Sequence, residues 1–338
     1  MIRLLSAAAL AALLATSQAV AAPPQATLVK SASIPAPDDR WDFAGWDAAH
    51  HLLLVARGKD VLVINPAQPG SVRSIGAIQG GHGVEAVPGG DTLVVSSGKD
   101  STLRILDIAT GAELASIPVA EDPDALVLSA DHRLVYVMAA KGGAISVVDL
   151  AGRKEVSRIA LKPGLEVPVL VSKNLIAVNN EDESEIELAN LKTGKAAGQI
   201  ALPGCEGPTG LALDPASGLA LSSCANGKAA LVDLRKLRLV SLVNIGAGPD
   251  TVIWDGAHKR FLVPCGKDGT LSVVRLVGHK AVVVASSPTE ASARTAAMDP
   301  ASGRVYLPSA RFAAPVAPSK LGTMEPGSFH VLVLSPVG

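Results

Sequence analysis

The stretch that decides the fold is DALVLSADHRLVYVMAAKGGAISVVDLAGRKEVSRIAL, residues 124–161 of a chain of 338 residues. Four short apolar or alternating runs follow one another in it: DALVL, LVYVMA, AISVVDL and EVSRIAL. Runs of about four to eight residues, separated by Gly, Asp and Ser, are typical of β-strands rather than helices. This segment therefore predicts four strands joined by short turns.

The same pattern recurs along the chain. Turns opened by Asp, Ser or Pro begin at Asp47, Pro88, Ser129, Ser172, Asp214, Asp255 and Asp299, with spacings of 41, 41, 43, 42, 41 and 44. The third runs end at Asn65, Asp107, Asp149, Asn190, Asp233 and Arg275, with spacings of 42, 42, 41, 43 and 42. Four strands per repeat of about 40 residues make the blade of a β-propeller. A solenoid is the alternative, but it would need polar capping repeats, and none is visible.

Seven repeats thus predict an all-β, seven-bladed β-propeller of four-stranded blades. The last repeat supplies only the runs ARTAAM, RVYLPS and FHVLVLS, so it lacks a fourth strand. The segment QATLVKSASIP near the N-terminus resembles the fourth strands of other repeats. We expect residues 28–34 to complete the seventh blade and close the ring.

The first 22 residues resemble a secretory signal peptide. Arg3 precedes an apolar run of 12 residues, 4–15, and small residues follow at 19–22. A membrane span needs about 20 residues, so we predict a cleaved signal peptide, with a retained anchor as the alternative. Residues 23–338 are then one propeller domain, with a flexible Pro/Ala/Ser-rich insertion at 310–327. The expected location is the periplasm or the exterior.

Composition excludes several classes of protein. The formal charge is -1 and aromatic residues make up 3% of the chain, so neither a general nucleic-acid binder nor a polybasic membrane binder is expected. The hydrophobic content of 48% excludes disorder. We expect a monomer without a membrane span.

Residues 132–161 and the stretch GPDTVIWDGAHKRFLVPCGKDGTLSVVRL, residues 248–276, resemble the YVTN-type, YncE-like family of secreted seven-bladed propellers. The resemblance covers essentially the whole mature chain and implies the same fold. Related propellers serve as binding scaffolds, as lactonases, or as carriers of haem, copper or quinone chemistry. The resemblance therefore leaves the activity open.

Charged residues recur where each innermost strand begins, at the loop-rich mouth of the channel. Aligning the repeats by their turns places at one position Asp42, Gly83, Asp124, Val167, Thr209, Asp250 and Arg294. The preceding position holds Trp41, His82, Pro123, Glu166, Pro208, Pro249 and Ala293. We predict a ligand-binding funnel formed by Trp41, Asp42, His82, Asp124, Glu166, Asp250 and Arg294. The alternative is that these side chains only solvate the strand starts or pair with Arg294.

Five second-to-third-strand loops carry a lysine: Lys59, Lys99, Lys141, Lys228 and Lys267. The fourth repeat instead has an acidic loop with Glu181, Asp182, Glu183 and Glu185. A basic rim would suit a small anionic ligand, whereas ordinary hairpin composition would explain the same residues. The predicted partner is a small anionic ligand or a periplasmic protein.

His82 lies between glycines at the channel mouth. We predict a binding or interaction scaffold without assigned catalytic residues. The alternative is a lactonase-like or other propeller hydrolase with His82 as its base beside the funnel carboxylates. No cofactor is predicted, although carboxylate oxygens could hold a divalent cation in the channel. A hydrogen-bonded structural histidine is the simpler interpretation.

The three cysteines all fall on the loop-rich side. In an oxidising compartment we expect a disulfide between Cys205 and Cys224 within the fifth blade, which leaves Cys265 unpaired. A three-thiolate metal site is the alternative.

Overall fold

The structure is a computed structural model that describes residues 27–68, 70–314 and 322–337. The predicted signal peptide, residues 1–22, lies outside the described residues, as does the central part of the predicted insertion, 315–321. All regular secondary structure in the described part is β-strand. A helix long and apolar enough to cross a membrane is not found among these residues.

Seven four-stranded antiparallel sheets form the blades. The chain begins with β1 (Leu28–Pro35). Blade one contains β2 (Trp41–Asp47), β3 (Leu52–Arg57), β4 (Val61–Ile64) and β5 (Val72–Ile75). Blade two contains β6 (Gly81–Ala86), β7 (Thr92–Ser97), β8 (Thr102–Asp107) and β9 (Glu113–Pro118). Blade three contains β10 (Pro123–Leu128), β11 (Leu134–Ala139), β12 (Ala144–Asp149) and β13 (Lys154–Ala160).

The remaining blades follow the same order. Blade four contains β14 (Leu165–Ser172), β15 (Leu175–Asn180), β16 (Glu185–Asn190) and β17 (Lys195–Ala201). Blade five contains β18 (Pro208–Asp214), β19 (Leu219–Cys224), β20 (Lys228–Asp233) and β21 (Arg238–Asn244). Blade six contains β22 (Ile253–Asp255), β23 (Arg260–Cys265), β24 (Thr270–Val277) and β25 (Lys280–Pro288). Blade seven contains β26 (Ala297–Met298), β27 (Val305–Ser309) and β28 (His330–Pro336).

The N-terminal strand closes the ring, as the sequence predicted. β1 is the outermost strand of blade seven and pairs antiparallel with β28, from Leu28 opposite Pro336 to Pro35 opposite His330. Both the seven-bladed propeller and its closure by the N-terminal strand are therefore confirmed.

Burial follows the position of a strand within its blade. The second strand β19 is buried at every residue, because it lies between two other strands and faces a neighbouring blade on each side. The outermost strand β17 exposes all of its residues except Ile200. Ile200 packs with Leu211 and Val232 of blade five. Hydrophobic clusters of this kind lie between neighbouring blades and hold the ring together.

Two faces of the ring differ in their loops. The first-to-second-strand turns lie on one side, which we call the lower face. The second-to-third-strand loops and the connections between blades lie on the other side, the upper face. Because every innermost strand runs from the upper to the lower face, its first residues line the upper end of the central channel.

Candidate functional site at the upper end of the channel

Each innermost strand from blade one to blade five bulges immediately after its first paired residue. The register shifts follow Trp41, Gly81, Pro123, Leu165 and Pro208. The residues directly after them are Asp42, His82, Asp124, Glu166 and Thr209. In blade six, Pro249 forms an isolated bridge with Cys265, and Asp250 comes next. Bulges redirect side chains, so this register places the charged residues at one structural position.

The register corrects the sequence alignment in two blades. His82 and Glu166 are equivalent to Asp42, whereas the alignment by turns placed them one residue earlier. In blade two the turn begins at Val87, whose N–H donates to the carbonyl of Thr92, and not at Pro88. In blade four an additional register shift separates Leu170 from Ser172. Turn length therefore varies while the bulge keeps its place.

Side chains of neighbouring blades hold the bulges in position. The Ser96 hydroxyl donates to the carbonyl of Asp124 at 2.6 Å, and the Thr295 hydroxyl donates to that of Asp42 at 2.7 Å. The Asn179 amide donates to the carbonyl of Thr209 at 2.8 Å. These bonds satisfy carbonyl groups that the bulges remove from the sheet ladders. The funnel residues thus start from a rigid backbone.

Five of the predicted residues form a continuous chain of charge contacts around the channel. His82 Nδ1 lies 2.7 Å from Asp42 Oδ2 and 3.8 Å from Asp124 Oδ1. On the other side, an Arg294 guanidinium nitrogen lies 3.4 Å from Asp42 Oδ1, and Arg294 also forms an ion pair with Asp250. Asp42 is therefore shared between an imidazole and a guanidinium group.

Trp41 is placed differently from the stacking platform that the sequence suggested. The residue is only 5% exposed, and its ring packs against Phe329 and Phe312 at centroid distances of 5.1 and 6.0 Å. The Arg294 guanidinium lies over the indole at 5.8 Å from its centroid. Trp41 therefore supports Arg294 from below, as a cation–π partner.

Protonation of His82 is favoured by its carboxylate neighbours. Burial lowers its pKa, but the hydrogen bond to Asp42 and the negative charges of Asp124 and Asp42 raise the pKa of His82 to about 9. An imidazolium is therefore the dominant form at neutral pH.

The carboxyl groups shift in the opposite direction to the usual aspartate. Burial, together with the charge of Asp42, raises the pKa of Asp124 to about 8, although His82 opposes this. Burial raises the pKa of Asp250 to about 6 against the lowering effect of Arg294. Burial and the charge of Asp124 raise the pKa of Glu166 well above its ordinary value. Proximity and burial thus make each additional negative charge costly.

A cavity of about 670 Å³ opens above these groups. We call it the upper cavity. Its described lining consists of Arg40, Trp41, Asp42, Gly58, Gly80, Gly81, His82, Lys99, Asp122, Lys141, Arg294 and Phe312. Glycine residues of the blade connections leave room for it, and its walls combine four cationic side chains with two carboxylates.

Two of the five rim lysines reach this cavity. Lys99 and Lys141 belong to its described lining, and Lys59, Lys228 and Lys267 do not. Lys141 forms an ion pair with Asp122 at 3.0 Å. The acidic loop of blade four is partly neutralised, because Lys162 Nζ lies 2.5 Å from Glu185 Oε1 and 3.3 Å from Glu183 Oε2.

Sequence reasoning missed two residues of the cavity wall. The Arg40 guanidinium lies 5.9 Å from the centroid of the Phe312 ring and donates to the carbonyl of Gly322. Phe312 also forms an isolated bridge with Met324. The described ends of the insertion therefore stand beside the upper cavity. Arg40 adjoins Trp41 in the sequence, which was the available signal for it.

The three cysteines occupy the positions expected of them. Cys205 and Cys224 form a disulfide with a Cα–Cα distance of 5.3 Å, so that prediction is confirmed. Cys265 is a buried free thiol among the described residues. Its neighbour is Gly246, at which a Cβ atom would lie 3.0 Å from the Cys265 sulfur. Gly246 stands 41 residues after Cys205 and Cys265 stands 41 after Cys224, so blade six keeps one half of the cysteine pair.

The cluster of Asp42, His82 and Asp124 has the composition of a cation site. One ligand atom from each residue lies within 4.8 Å of the others. Asp124 Oδ1 is buried and has no hydrogen-bond partner among the described residues. In the observed geometry, however, Nδ1 of His82 is hydrogen-bonded to Asp42, so the imidazolium itself supplies positive charge to the carboxylates.

The seven blades and the central channel define the class of protein, a seven-bladed β-propeller. No family model matches the chain. No curated protein matches it either. Among solved structures, hydrazine synthase of Kuenenia stuttgartiensis is similar, with a TM-score of 0.69, 13% identity, and coverage of 82% of this chain and 94% of that chain. In all, 1722 chains match, so the similarity describes a widely used fold and selects no activity.

Proposed function

We propose that this chain is a YVTN-type binding propeller whose upper cavity holds a small anionic ligand. The observation that carries the proposal is the convergence of cationic groups from several blades on one cavity. Lys99, Lys141 and Arg294 enter it from blades two, three and seven, and Arg40 enters from the segment before blade one. Protonated His82 adds a further positive charge. Such groups recognise carboxylate and phosphate oxygens.

The acidic groups beneath the cavity do not oppose this assignment. Asp42 already accepts from His82 and contacts Arg294. Asp124 and Glu166 have raised pKa values, so protons neutralise part of their charge at neutral pH. The lysine rim lies above this compensated layer and is available to an anion.

Anion-binding assays test the proposal, with citrate and inorganic phosphate as probes at constant ionic strength. We expect isothermal titration to show binding of at least one of them, and Lys99→Ala to weaken its Kd by about tenfold. Lys267→Ala is the matched control, because the stem of Lys267 packs over Gly248 as that of Lys99 packs over Gly80. Equal effects of the two variants, or no binding of either probe, would contradict the proposal.

A divalent cation is the second candidate ligand, and it is favoured by the unpartnered Oδ1 of Asp124. Calcium and magnesium titrations of protein treated with chelator test it, with Asp124→Asn as the variant. Loss of cation binding in Asp124→Asn would support this candidate. Unchanged citrate binding after chelator treatment would show that the anion is held without a metal.

The hydrolase alternative has less support. A general base must be unprotonated near the working pH, and the carboxylate neighbours of His82 hold its pKa at about 9. We expect no lactone turnover that disappears in His82→Ala. A rate that falls to background in that variant would favour the hydrolase instead.

We further propose that the protein acts in the periplasm or outside the cell after removal of residues 1–22. The disulfide between Cys205 and Cys224 is compatible with an oxidising compartment. Cell fractionation and N-terminal sequencing of the product would check this. A protein retained in the cytoplasm with an intact N-terminus would contradict it.

A further inference from the structure

A second cavity, of about 500 Å³, lies at the opposite end of the same channel. We call it the lower cavity. Its walls come from the later residues of β2, β6 and β10, and its opening lies among the first-to-second-strand turns of the lower face. Phe43, Trp46, Leu126 and Val167 give it a largely apolar lining. Small-molecule sites usually have volumes of about 300–1,000 Å³, so its size suits a small ligand.

Phe43 separates this cavity from the upper one. It belongs to blade one, yet it packs against the hydrophobic cluster of blades three and four, which includes Ala125 and Leu165. The ring therefore reaches across the channel below Asp42. Ligands at the two ends would meet different surroundings, since the charged groups lie above this ring and the apolar walls lie below it.

Glu85 is the one carboxyl group in the described lining of the lower cavity. Its Oε2 accepts the backbone N–H of Leu128 at 3.3 Å, which leaves acceptor capacity unused. The only described lining residue that could carry positive charge is His132, an exposed turn residue at the opening. Burial raises the pKa of Glu85 to about 7, while the Leu128 bond opposes this shift. The carboxylate form thus lacks a cationic partner.

We propose that the lower cavity binds a small apolar molecule that carries one primary ammonium group, with Glu85 as the partner of that group. The apolar walls would accept the hydrocarbon part of the ligand. The ammonium group would donate to the carboxylate and compensate a charge that is costly to bury alone. This site is independent of the anion site proposed above, because it has the opposite charge preference and lies on the other side of Phe43.

Benzylamine is the probe, and benzyl alcohol is its neutral counterpart of similar shape. Isothermal titration of the full protein should detect benzylamine binding at pH 8, and Glu85→Gln should weaken its Kd by about tenfold or more. Glu325→Gln is the matched control, since that glutamate is exposed and paired with Arg311 outside the cavity. Lys99→Ala, in the upper cavity, should leave benzylamine binding unchanged.

A second variant tests the location without altering the charge. Ala130 is exposed at the opening of the lower cavity, so Ala130→Trp should narrow the opening and weaken benzylamine binding while the fold is preserved. Equal binding of benzylamine and benzyl alcohol would overturn the proposal. So would unchanged benzylamine binding in both Glu85→Gln and Ala130→Trp.

Discussion

The two ends of the central channel solve the same physical problem in different ways. Both contain carboxyl groups whose pKa is raised by burial, as Asp250 and Glu85 show. At the upper end, Arg294 and His82 lie within contact distance of the carboxylates and compensate them. At the lower end, Glu85 faces apolar walls without such a cation. The comparison teaches that burial alone does not define a charged site, since compensation decides which ligand it can accept.

The distance between the two environments is short along the chain. Asp42 belongs to the charged layer, and the adjacent Phe43 forms the apolar layer beneath it. The bulge that begins at Asp42 makes this transition abrupt, because it interrupts the pairing of β2 just there. Three substitutions would break or sharpen the contrast between the ends.

The largest effect is expected when the layer between the cavities is removed. Phe43→Ala should lower the free energy of unfolding by about 2–3 kcal/mol, which is less than for a fully buried phenylalanine because Phe43 is half-buried. Denaturant unfolding at pH 6 would measure it. A loss below about 0.5 kcal/mol would show that the ring does not pack across the channel.

Removal of the upper cation should have a smaller, pH-dependent effect. Arg294→Met leaves Asp42 and Asp250 without their guanidinium partner, and we expect a loss of about 2 kcal/mol at pH 8 after allowance for partial exposure of Arg294. The loss should shrink at pH 5, because the raised pKa of Asp250, about 6, allows protonation to replace the cation.

The control for this variant is Arg311→Met, whose ion pair with Glu325 is exposed. That change should alter stability by less than about 0.5 kcal/mol at either pH. If Arg294→Met and Arg311→Met behaved alike, the upper end would not depend on compensation.

The smallest effect is expected from neutralisation of the lower carboxyl. The pKa of Glu85 is about 7 in the folded protein against 4.5 as its ordinary value, so the folded state holds this proton more tightly. The stabilisation it provides is complete below about pH 4.5 and is lost as the pH rises through 7. Glu85→Gln should therefore be more stable than wild type by about 1–3 kcal/mol at pH 8, with allowance for water in the cavity.

Unfolding curves at pH 5 and pH 8 would measure this difference. The pH dependence that persists in Glu85→Gln belongs to other groups, among them Asp250 at the upper end, whose raised pKa has the same sign. An unchanged slope in the variant would mean that Glu85 is solvated like a surface glutamate.

The sequence was sufficient for the fold, because a propeller repeats one pattern of strands and turns at a nearly constant spacing. Closure by residues 28–34 was predictable for the same reason, since one strand was missing from the last repeat. The disulfide followed from two cysteines within one blade and an oxidising compartment.

The candidate site was predictable only in part. Its charged residues were identified, but His82 and Glu166 were assigned to the wrong position in the repeat, because turns vary in length and bulges leave no mark in the hydrophobic pattern. Arg40, Phe43 and Glu85 were not assigned to a site, since their roles depend on which blades they reach. That the upper residues bind a ligand stays a prediction.

Closure of the ring by β1 has a consequence for the order of folding. Leu28 pairs with Pro336, so the last blade joins residues that lie almost the whole chain apart. Such contacts carry a high entropic cost and slow folding. During synthesis the N-terminal strand has to wait for His330–Pro336 to appear, while the intervening blades can assemble one after another. The first strand made is therefore the last to find its partner.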